Sequence, residues 1–525
     1  MISDKKVILL GLDGATWTQL NPHISMGLMP NLLKLIDNGV KGILNSTVPY
    51  TSRACWLSIL TGTNPGKHGI PHHTVGGKHE VPRLWDILTE KKMKQLIVND
   101  LITYPPSPID GVMISGGFST PSTSKDFTYP ISIMDEINKI VENYTPSLSA
   151  EILQKTQEEK FDEFYNKLQE WGNNVVKIST NLEKNHEWQL FAPIIENTDY
   201  INHFFWDKPE FLKKFFIWLD DVIGKFNEIA KKNNANLIIV SDHGGGPIKK
   251  HFLINTWLQQ SGFTNFTKPN KIRKILSKTG IKRKDVRSNL SKLHLRGIAS
   301  KITTSEIRKM VPIDKNESGV IDVNSKVFSE AYDEITVNIE NSIEYEKTRN
   351  KLIEKLENLK DDEGNFIVSK VYKREESFHE PFVNRAHDLQ FVLNEGYCYS
   401  SAIREKYILT PEEIGRIRTG DHRPEGIFLG SGPDFEKGKS ISGLQLWDIC
   451  PIILHCLELE IPSYMDGTVP KELFSQHSSA FKREIFIKNE IKKDFSKKQI
   501  DNKINEYSKE DEDEIKKVLD EMGYT

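Results

Sequence analysis

Three short apolar runs in this chain each lead into a residue that can hold a metal ion. Val7–Leu12 runs into Asp13, the extended-looking stretch from Glu187 to Ile195 into Asp199, and Asn236–Ser241 into Asp242-His243. Short continuous apolar runs bounded by charge and glycine are the pattern of strands covered on both faces. The runs at Val40–Leu44, Leu96–Val98 and Val112–Ile114 repeat it. Between them lie segments of helical periodicity at Pro30–Leu35, 134–186 and Phe215–Lys231. Strands alternating with helices predict an α/β fold with a doubly wound, mostly parallel sheet. Ligands of such sheets bind beyond the carboxyl ends of the strands. Three strands whose carboxyl ends carry Asp or His therefore point to one site at one edge.

Composition narrows the partners. The chain has 525 residues, with 70 Lys or Arg against 73 Asp or Glu, so no global charge favours nucleic acid or a membrane. No apolar run approaches the ~18 residues of a membrane span, and the first residues do not read as a signal peptide because Asp13 interrupts a short apolar stretch. Cys55, Cys398, Cys450 and Cys456 show neither a disulfide framework nor paired zinc spacing and read as core thiols. The expected location is the cytoplasm. Residues 268–309 break the pattern, with fourteen basic residues, only Asp285 and Glu306 as acids, and no aromatics. They read as a basic helical cap insertion, either a solvated surface or a contact for an anionic partner. The boundaries expected are a discontinuous core at 1–262 and 313–477, the insertion at 263–312 and a charged helical tail at 478–525. In that tail Ser508 and Asp511 resemble a capping box, and Ile515, Val518, Leu519 and Met522 form one helical face.

Several segments carry candidate chemistry. Asp199 and His203 stand at i and i+4, on one face of a helix. Oxygen with imidazole suits Zn²⁺ or Mn²⁺. Ser241-Asp242-His243-Gly244-Gly245-Gly246 takes a buried strand into an Asp-His pair and then glycines that let backbone approach a ligand. Gly420–Gly426 reads as a polar loop presenting His422. Thr51 or Ser52 can start a helix whose apolar face is Trp56, Leu57 and Leu60 and whose stop is Gly62. A helix N-terminus favours a phosphate or sulfate group, and a hydroxyl there can attack phosphorus.

Taken together and in order, these segments resemble the type I phosphodiesterase/nucleotide pyrophosphatase family of the alkaline phosphatase superfamily. The matching motifs are G-L-D-G-A at 11–15, L-T-G-T-N-P-G-K-H-G-I at 60–70, N-T-D-Y-I-N-H at 197–203, S-D-H-G at 241–244 and H-R-P-E-G at 422–426. L-Q-L-W-D-I-C-P-I-I-L-H at 444–455, M-D-G at 465–467 and M-G-Y at 522–524 are also similar. The resemblance implies an alkaline-phosphatase-like fold with helices on both faces of the sheet. It implies two divalent metal ions, Zn²⁺ in the first place and Mn²⁺ as the alternative. Asp13, Asp242, His243 and the nucleophile would hold one ion, and Asp199, His203 and His422 the other. The nucleophile falls at Ser52, with Thr51 the neighbour in register. The implied substrate is a small phosphorylated compound such as a nucleotide or sugar nucleotide.

Other relatives fit less well. The C/S-x-P-x-R context of sulfatases is absent at Ser52-Arg53-Ala54-Cys55-Trp56. Phosphoglycerate mutases place their last histidine close to the Asp-His pair, whereas Asp242 and His422 are 180 residues apart. Two positions depart from the pattern of bacterial members: His387 replaces a proline before Asp388-Leu389, and no Gly-Arg follows Val337-Asn338. The alternatives are monoester hydrolysis or phosphoryl transfer at the same site, and a retired enzyme that binds through 268–309. His68, His72, His73 and His251 read as structural or surface residues.

Overall fold

The computed structural model describes residues 4–71, 79–157, 159–267, 320–321, 325–329, 333–415, 417–488 and 507–522. The basic segment 268–309 expected as a helical cap lies outside the described residues, as do His72 and His73. The described chain divides into two compact units, one of 1–247, 375–386 and 417–525, the other of 248–374 and 387–416. This differs from the expected single core over 1–262 and 313–477.

The first unit is built on a nine-stranded sheet. Six of its strands are β1 (Val7–Leu12), β2 (Gly39–Asn45), β3 (Gln95–Asp100), β4 (Gly111–Ser115), β5 (Thr128–Tyr129) and β6 (Leu190–Ile195). The others are β7 (Asn236–Val240) and two later strands, Glu425–Ser431 and Lys439–Gln445. Their order is Lys439–Gln445, β2, Glu425–Ser431, β7, β1, β6, β3, β4, β5. From β7 to β4 every pairing is parallel. Glu425–Ser431 runs antiparallel to both β2 and β7, and β5 is antiparallel to β4. Every residue of β1, β3, β6 and β7 is buried. Successive side chains of a strand point to opposite faces, so both faces of these strands are covered. The expected mostly parallel α/β sheet is therefore the one observed.

Three helices fill the polar stretch read at 134–186: Ile133–Ile140, Ala150–Gln157 and Phe161–Asn185. The long helix Pro209–Lys232 buries Phe215, Leu219, Val222 and Phe226 along one face, the 3.6-residue stripe that a helix lying on a sheet requires. At the far end of the chain the helix Lys509–Met522 forms where the capping box predicts it. Asp511 N–H donates to Ser508 Oγ at 3.1 Å, and Ser508 N–H donates to Asp511 Oδ2 at 3.2 Å. Ile515, Val518, Leu519 and Met522 are buried, and Glu514 accepts hydrogen bonds from the Ser122 and Thr123 hydroxyls. Among the described residues no helix is long and apolar enough to cross a membrane. All four cysteines are buried free thiols.

The second unit centres on an antiparallel sheet of Val327–Phe328, Glu334–Val337, Leu389–Leu393 and Val368–Lys373, in that order. Ile335, Leu352, Leu356, Leu389 and Phe391 share its core. His387, which departs from the family pattern, bonds Thr336 Oγ1 through Nδ1 at 2.7 Å and so serves this sheet.

The helix Ser52–Thr61 ends at Gly62, which adopts a left-handed φ of 67°. A side chain there would be strained, and its Cβ would meet Met465 Sδ at 2.8 Å. Gly62→Ala should therefore destabilise the protein by about 2 kcal/mol or more, the sum of backbone strain and overpacking. Thermal or denaturant unfolding measures this, and an unchanged midpoint would show that Gly62 is not needed to end the helix.

Candidate active site

The strand order brings the expected residues together. β7, β1 and β6 are neighbours and parallel, so the residues after them leave the sheet at one edge. Asp13 follows β1 directly, Asp242 lies two residues past β7, and Asp199 sits in the first turn of the helix Asn197–Phe205 after β6. One turn on, His203 shares a face with Asp199 as the i, i+4 spacing predicts, with Nε2 3.2 Å from Asp199 Oδ2.

His422 arrives by a route that the sequence conceals. The expected loop at 420–426 is instead a strand, Gly420–Arg423, paired antiparallel with the start of the strand Gly244–Leu253. His422 stands opposite Gly245, two residues from His243. The three glycines thus lie in a strand and make room for neighbours. A Cβ on Gly245 would meet the Asn202 side chain at 2.7 Å, and one on Gly244 would meet the Glu425 carbonyl oxygen at 2.0 Å.

Backbone carbonyls fix the imidazoles. His243 Nδ1 lies 3.0 Å from the Gly244 carbonyl, His203 Nδ1 3.0 Å from that of Gly420, and His422 Nδ1 3.2 Å from that of Tyr50. A carbonyl only accepts, so Nδ1 of His243 and of His422 carries the proton and their Nε2 is a bare donor atom, whereas His203 Nδ1 also lies 2.6 Å from the Arg418 guanidinium. His422 Nε2 lies 3.4 Å from Asp199 Oδ1 and 3.1 Å from His203 Nε2. His243 Nε2 lies 3.6 Å from Asp13 Oδ1, 3.4 Å from Asp242 Oδ2 and 3.1 Å from Ser52 Oγ.

Two groups have all their ligand atoms within 4.8 Å of one another: Asp199, His203 and His422, and Asp13, Asp199 and His243. The first coincides with one expected ligand set. The second takes Asp199 where Asp242 was expected, although Asp242 remains beside His243. Asp13 Oδ1 and Asp242 Oδ2 are buried and accept no hydrogen bond from the described residues. Burial, then the Asp242 and Asp199 charges, hold Asp13 well above the usual carboxylate range. Burial also raises Asp242, and the Asp199 charge adds to it. Burial works against the charge of Asp199, yet His203 and His422 hold that carboxyl well below its usual range. Burial and then His422 push His243 down to about 4. At 4.8 Å and an effective dielectric of ~20, the Asp13–Asp199 pair costs about 3 kcal/mol when both are charged. Oxygen and bare imidazole donors packed this closely fit divalent cations, which would offset that repulsion.

Ser52 opens its helix at the same edge. Thr51 takes the N-cap position without a side-chain cap bond, so the first-turn N–H groups keep their capacity to meet an anion. Trp56, read as part of the apolar face, also donates Nε1–H to Asp13 Oδ2 at 2.9 Å. Arg418 was passed over in the sequence. Its guanidinium lies 2.6 Å from His203 Nδ1 and 3.1 Å from His203 Nε2, and pairs with Asp421 at 2.6 Å. The R-x-x-D-H spacing of Arg418, Asp421 and His422 was the available signal. His68 is buried beside Ser58, 3.2 Å from its hydroxyl, and His251 is buried too, in keeping with structural roles.

A model of the type I phosphodiesterase / nucleotide pyrophosphatase family matches residues 7–422. No curated protein matches the chain. Among solved structures, human ectonucleotide pyrophosphatase / phosphodiesterase 5 aligns with a TM-score of 0.49 at 15% identity, over 90% of this chain and 100% of that one.

Charge repulsion gives a pH-dependent prediction. Asp13 and Asp242 hold protons in the folded state above 3.8, the ordinary value at which the unfolded chain releases them. Metal-free stability on their account is lost as pH rises from there. In chelator at pH 8, Asp242→Asn should therefore melt higher than wild type. Zn²⁺ or Mn²⁺ at a hundred-fold excess over Kd should stabilise the wild type by about 2.7 kcal/mol, and at a fixed metal concentration the melting temperature should rise more at pH 8 than at pH 5. A scan in which metal has no effect, or D242N melts lower, would count against the cluster as a cation site.

Proposed function

This chain belongs to the type I phosphodiesterase / nucleotide pyrophosphatase family, hydrolases of nucleotide-type substrates, and on that footing we propose that it cleaves phosphodiester or nucleotide pyrophosphate bonds through a Ser52 phosphoryl-enzyme at a two-metal site. The observation that carries this reading is the packing of the three histidines with the buried carboxylates at one sheet edge, with Ser52 Oγ 3.1 Å from His243 Nε2. In the proposed assignment Asp199, His203 and His422 hold one ion, and Asp13, Asp242, His243 and Ser52 the other, with Asp199 near both. Zn²⁺ suits these donors, and Mn²⁺ is the alternative. Two divalent ions, when bound, supply Lewis acidity to the hydroxyl, to water and to the phosphoryl oxygens.

The chain's own groups do the rest. Ser52 Oγ lies 3.1 Å from His243 Nε2, which places the hydroxyl at the ligand cluster. The depressed pKa of His243 keeps Nε2 unprotonated near neutral pH and so available to an ion. Ser52 loses its proton to water, Oγ forms a bond to phosphorus, and the leaving oxygen departs with the electron pair of the broken P–O bond. Water then attacks the phosphoserine, and the Ser52 oxygen leaves and recovers a proton. N–H groups at the start of the helix Ser52–Thr61 face the charge that develops on the phosphoryl oxygens. Ser52 is preferred to Thr51 because its Oγ is the one 3.1 Å from His243.

The test compares bis-p-nitrophenyl phosphate with p-nitrophenyl phosphate, with added Zn²⁺ or Mn²⁺ and with chelator. The diester should be the better substrate, chelator should abolish turnover, and Ser52→Ala should lower kcat at least about a thousand-fold. A monoester preference would move the assignment to a phosphatase or phosphotransferase. Full activity in S52A would remove Ser52 as the nucleophile.

A further inference from the structure

The carboxyl edge that holds the metal-type ligands does not end with β6. β3 and β4 follow β6 in the same parallel direction, so their carboxyl ends open on the same edge. The segments after them carry Tyr104 and Ser119, and the helix Lys509–Met522 docks there. Glu514 accepts from Ser122 N–H at 2.9 Å, from Ser122 Oγ at 2.6 Å and from Thr123 Oγ1 at 2.6 Å. Just before this helix, Tyr507 packs on Tyr104 with ring centroids 5.7 Å apart. The Tyr507 hydroxyl is hydrogen-bonded with the Ser119 hydroxyl and with the Arg53 guanidinium.

Arg53 follows Ser52 directly. Ser52 turns its oxygen to His243, while Arg53 turns toward Tyr507. The two neighbours thus look along the edge in different directions, one to the ends of β7, β1 and β6, the other to the ends of β3 and β4. A substrate whose phosphorus lies at Ser52 and whose length runs along this edge meets Arg53 next. Arg53, Tyr104 and Tyr507 each keep part of their surface exposed, although Arg53 Nε itself is buried. A planar guanidinium held by a phenol is a fork suited to the oxygens of a phosphoryl group. Asp511 and Asp126 also lie near these tyrosines, and His68 and His79 near Arg53. Of these neighbours only Arg53 is a permanent cation.

We propose that Arg53, positioned by Tyr507 from the C-terminal segment, is a specificity-determining residue that binds an anionic group, typically a second phosphoryl, one step beyond the phosphorus that Ser52 attacks. This rests on the phosphodiesterase reading above. It explains why a helix from the far end of the chain is anchored beside the nucleophile: the helix fixes the selectivity of the site.

The experiment measures AMP and ADP binding by calorimetry to metal-loaded Ser52→Ala protein, which cannot turn over. The same titrations are made with Arg53→Gln, Arg53→Lys and Tyr507→Phe added. ADP should bind more tightly than AMP. R53Q should weaken ADP about ten- to hundred-fold, the worth of a charge-assisted pair of hydrogen bonds. Its effect on AMP should be at least five-fold smaller, R53K should recover part of the loss, and Y507F should weaken ADP by about three-fold. In otherwise native enzyme, R53Q should raise KM for a nucleoside polyphosphate far more than for bis-p-nitrophenyl phosphate. Equal binding of AMP and ADP by the Arg53 protein, or equal weakening of both by R53Q, overturns the proposal while leaving the hydrolase reading intact. Failure to bind either nucleotide, together with no diester turnover by the wild type, overturns both. If R53Q does not fold, R53K and Y507F carry the same comparison.

Discussion

The site depends on β1 being hydrogen-bonded on both sides to parallel partners, β6 and β7. Parallel neighbours end together, so Asp13, Asp199 and Asp242 emerge side by side although more than 200 residues separate the first from the last. Burial of all four central strands makes that alignment rigid, because a shift of one residue would turn a fully apolar strand against the wrong partners. The fourth segment is recruited by the same means: the strand Gly420–Arg423 pairs with the start of Gly244–Leu253 and sets His422 beside His243. Backbone pairing therefore delivers each of the metal-type residues, and backbone carbonyls then set the tautomers of His243 and His422.

That arrangement has an energetic consequence. Three buried carboxylates close together oppose folding when the site carries no cation. The opposition, about 3 kcal/mol for the Asp13–Asp199 pair when both are charged, is a sizeable part of the 5–15 kcal/mol that keeps a domain folded. The chain offsets some of it locally: Trp56 donates to Asp13, Gly14 N–H donates to Asp242, and His203 and His422 flank Asp199. The remaining buried oxygens of Asp13 and Asp242 point to divalent cations as the complement of the cluster.

Much of this was legible in the sequence, for physical reasons that differ by residue. β1, β6 and β7 announce themselves because strands covered on both faces are continuous apolar runs, and their ends locate Asp13, Asp199, Asp242 and His243. The capping box at Ser508 and the stripe from Ile515 to Met522 gave the last helix. His422 was reached through family resemblance, because its position is set by a long-range strand pairing that leaves no local pattern. The second unit was not separated from the core, because its strands are short and partly exposed and carry no long apolar run. The Tyr507–Arg53 contact was not legible because segments hundreds of residues apart leave no periodicity to read, whereas Arg418 carried a local signal in its spacing to Asp421 and His422.

If the carboxylates and imidazoles at this edge are one site for two ions, anomalous scattering from crystals grown with Zn²⁺ or Mn²⁺ will locate them. Two peaks are expected, one among Asp199, His203 and His422, the other beside Asp13, Asp242 and His243 and within reach of Ser52 Oγ. A well-ordered structure at saturating metal with no peak in this cluster, or with the ions bound elsewhere, would contradict that two-ion reading.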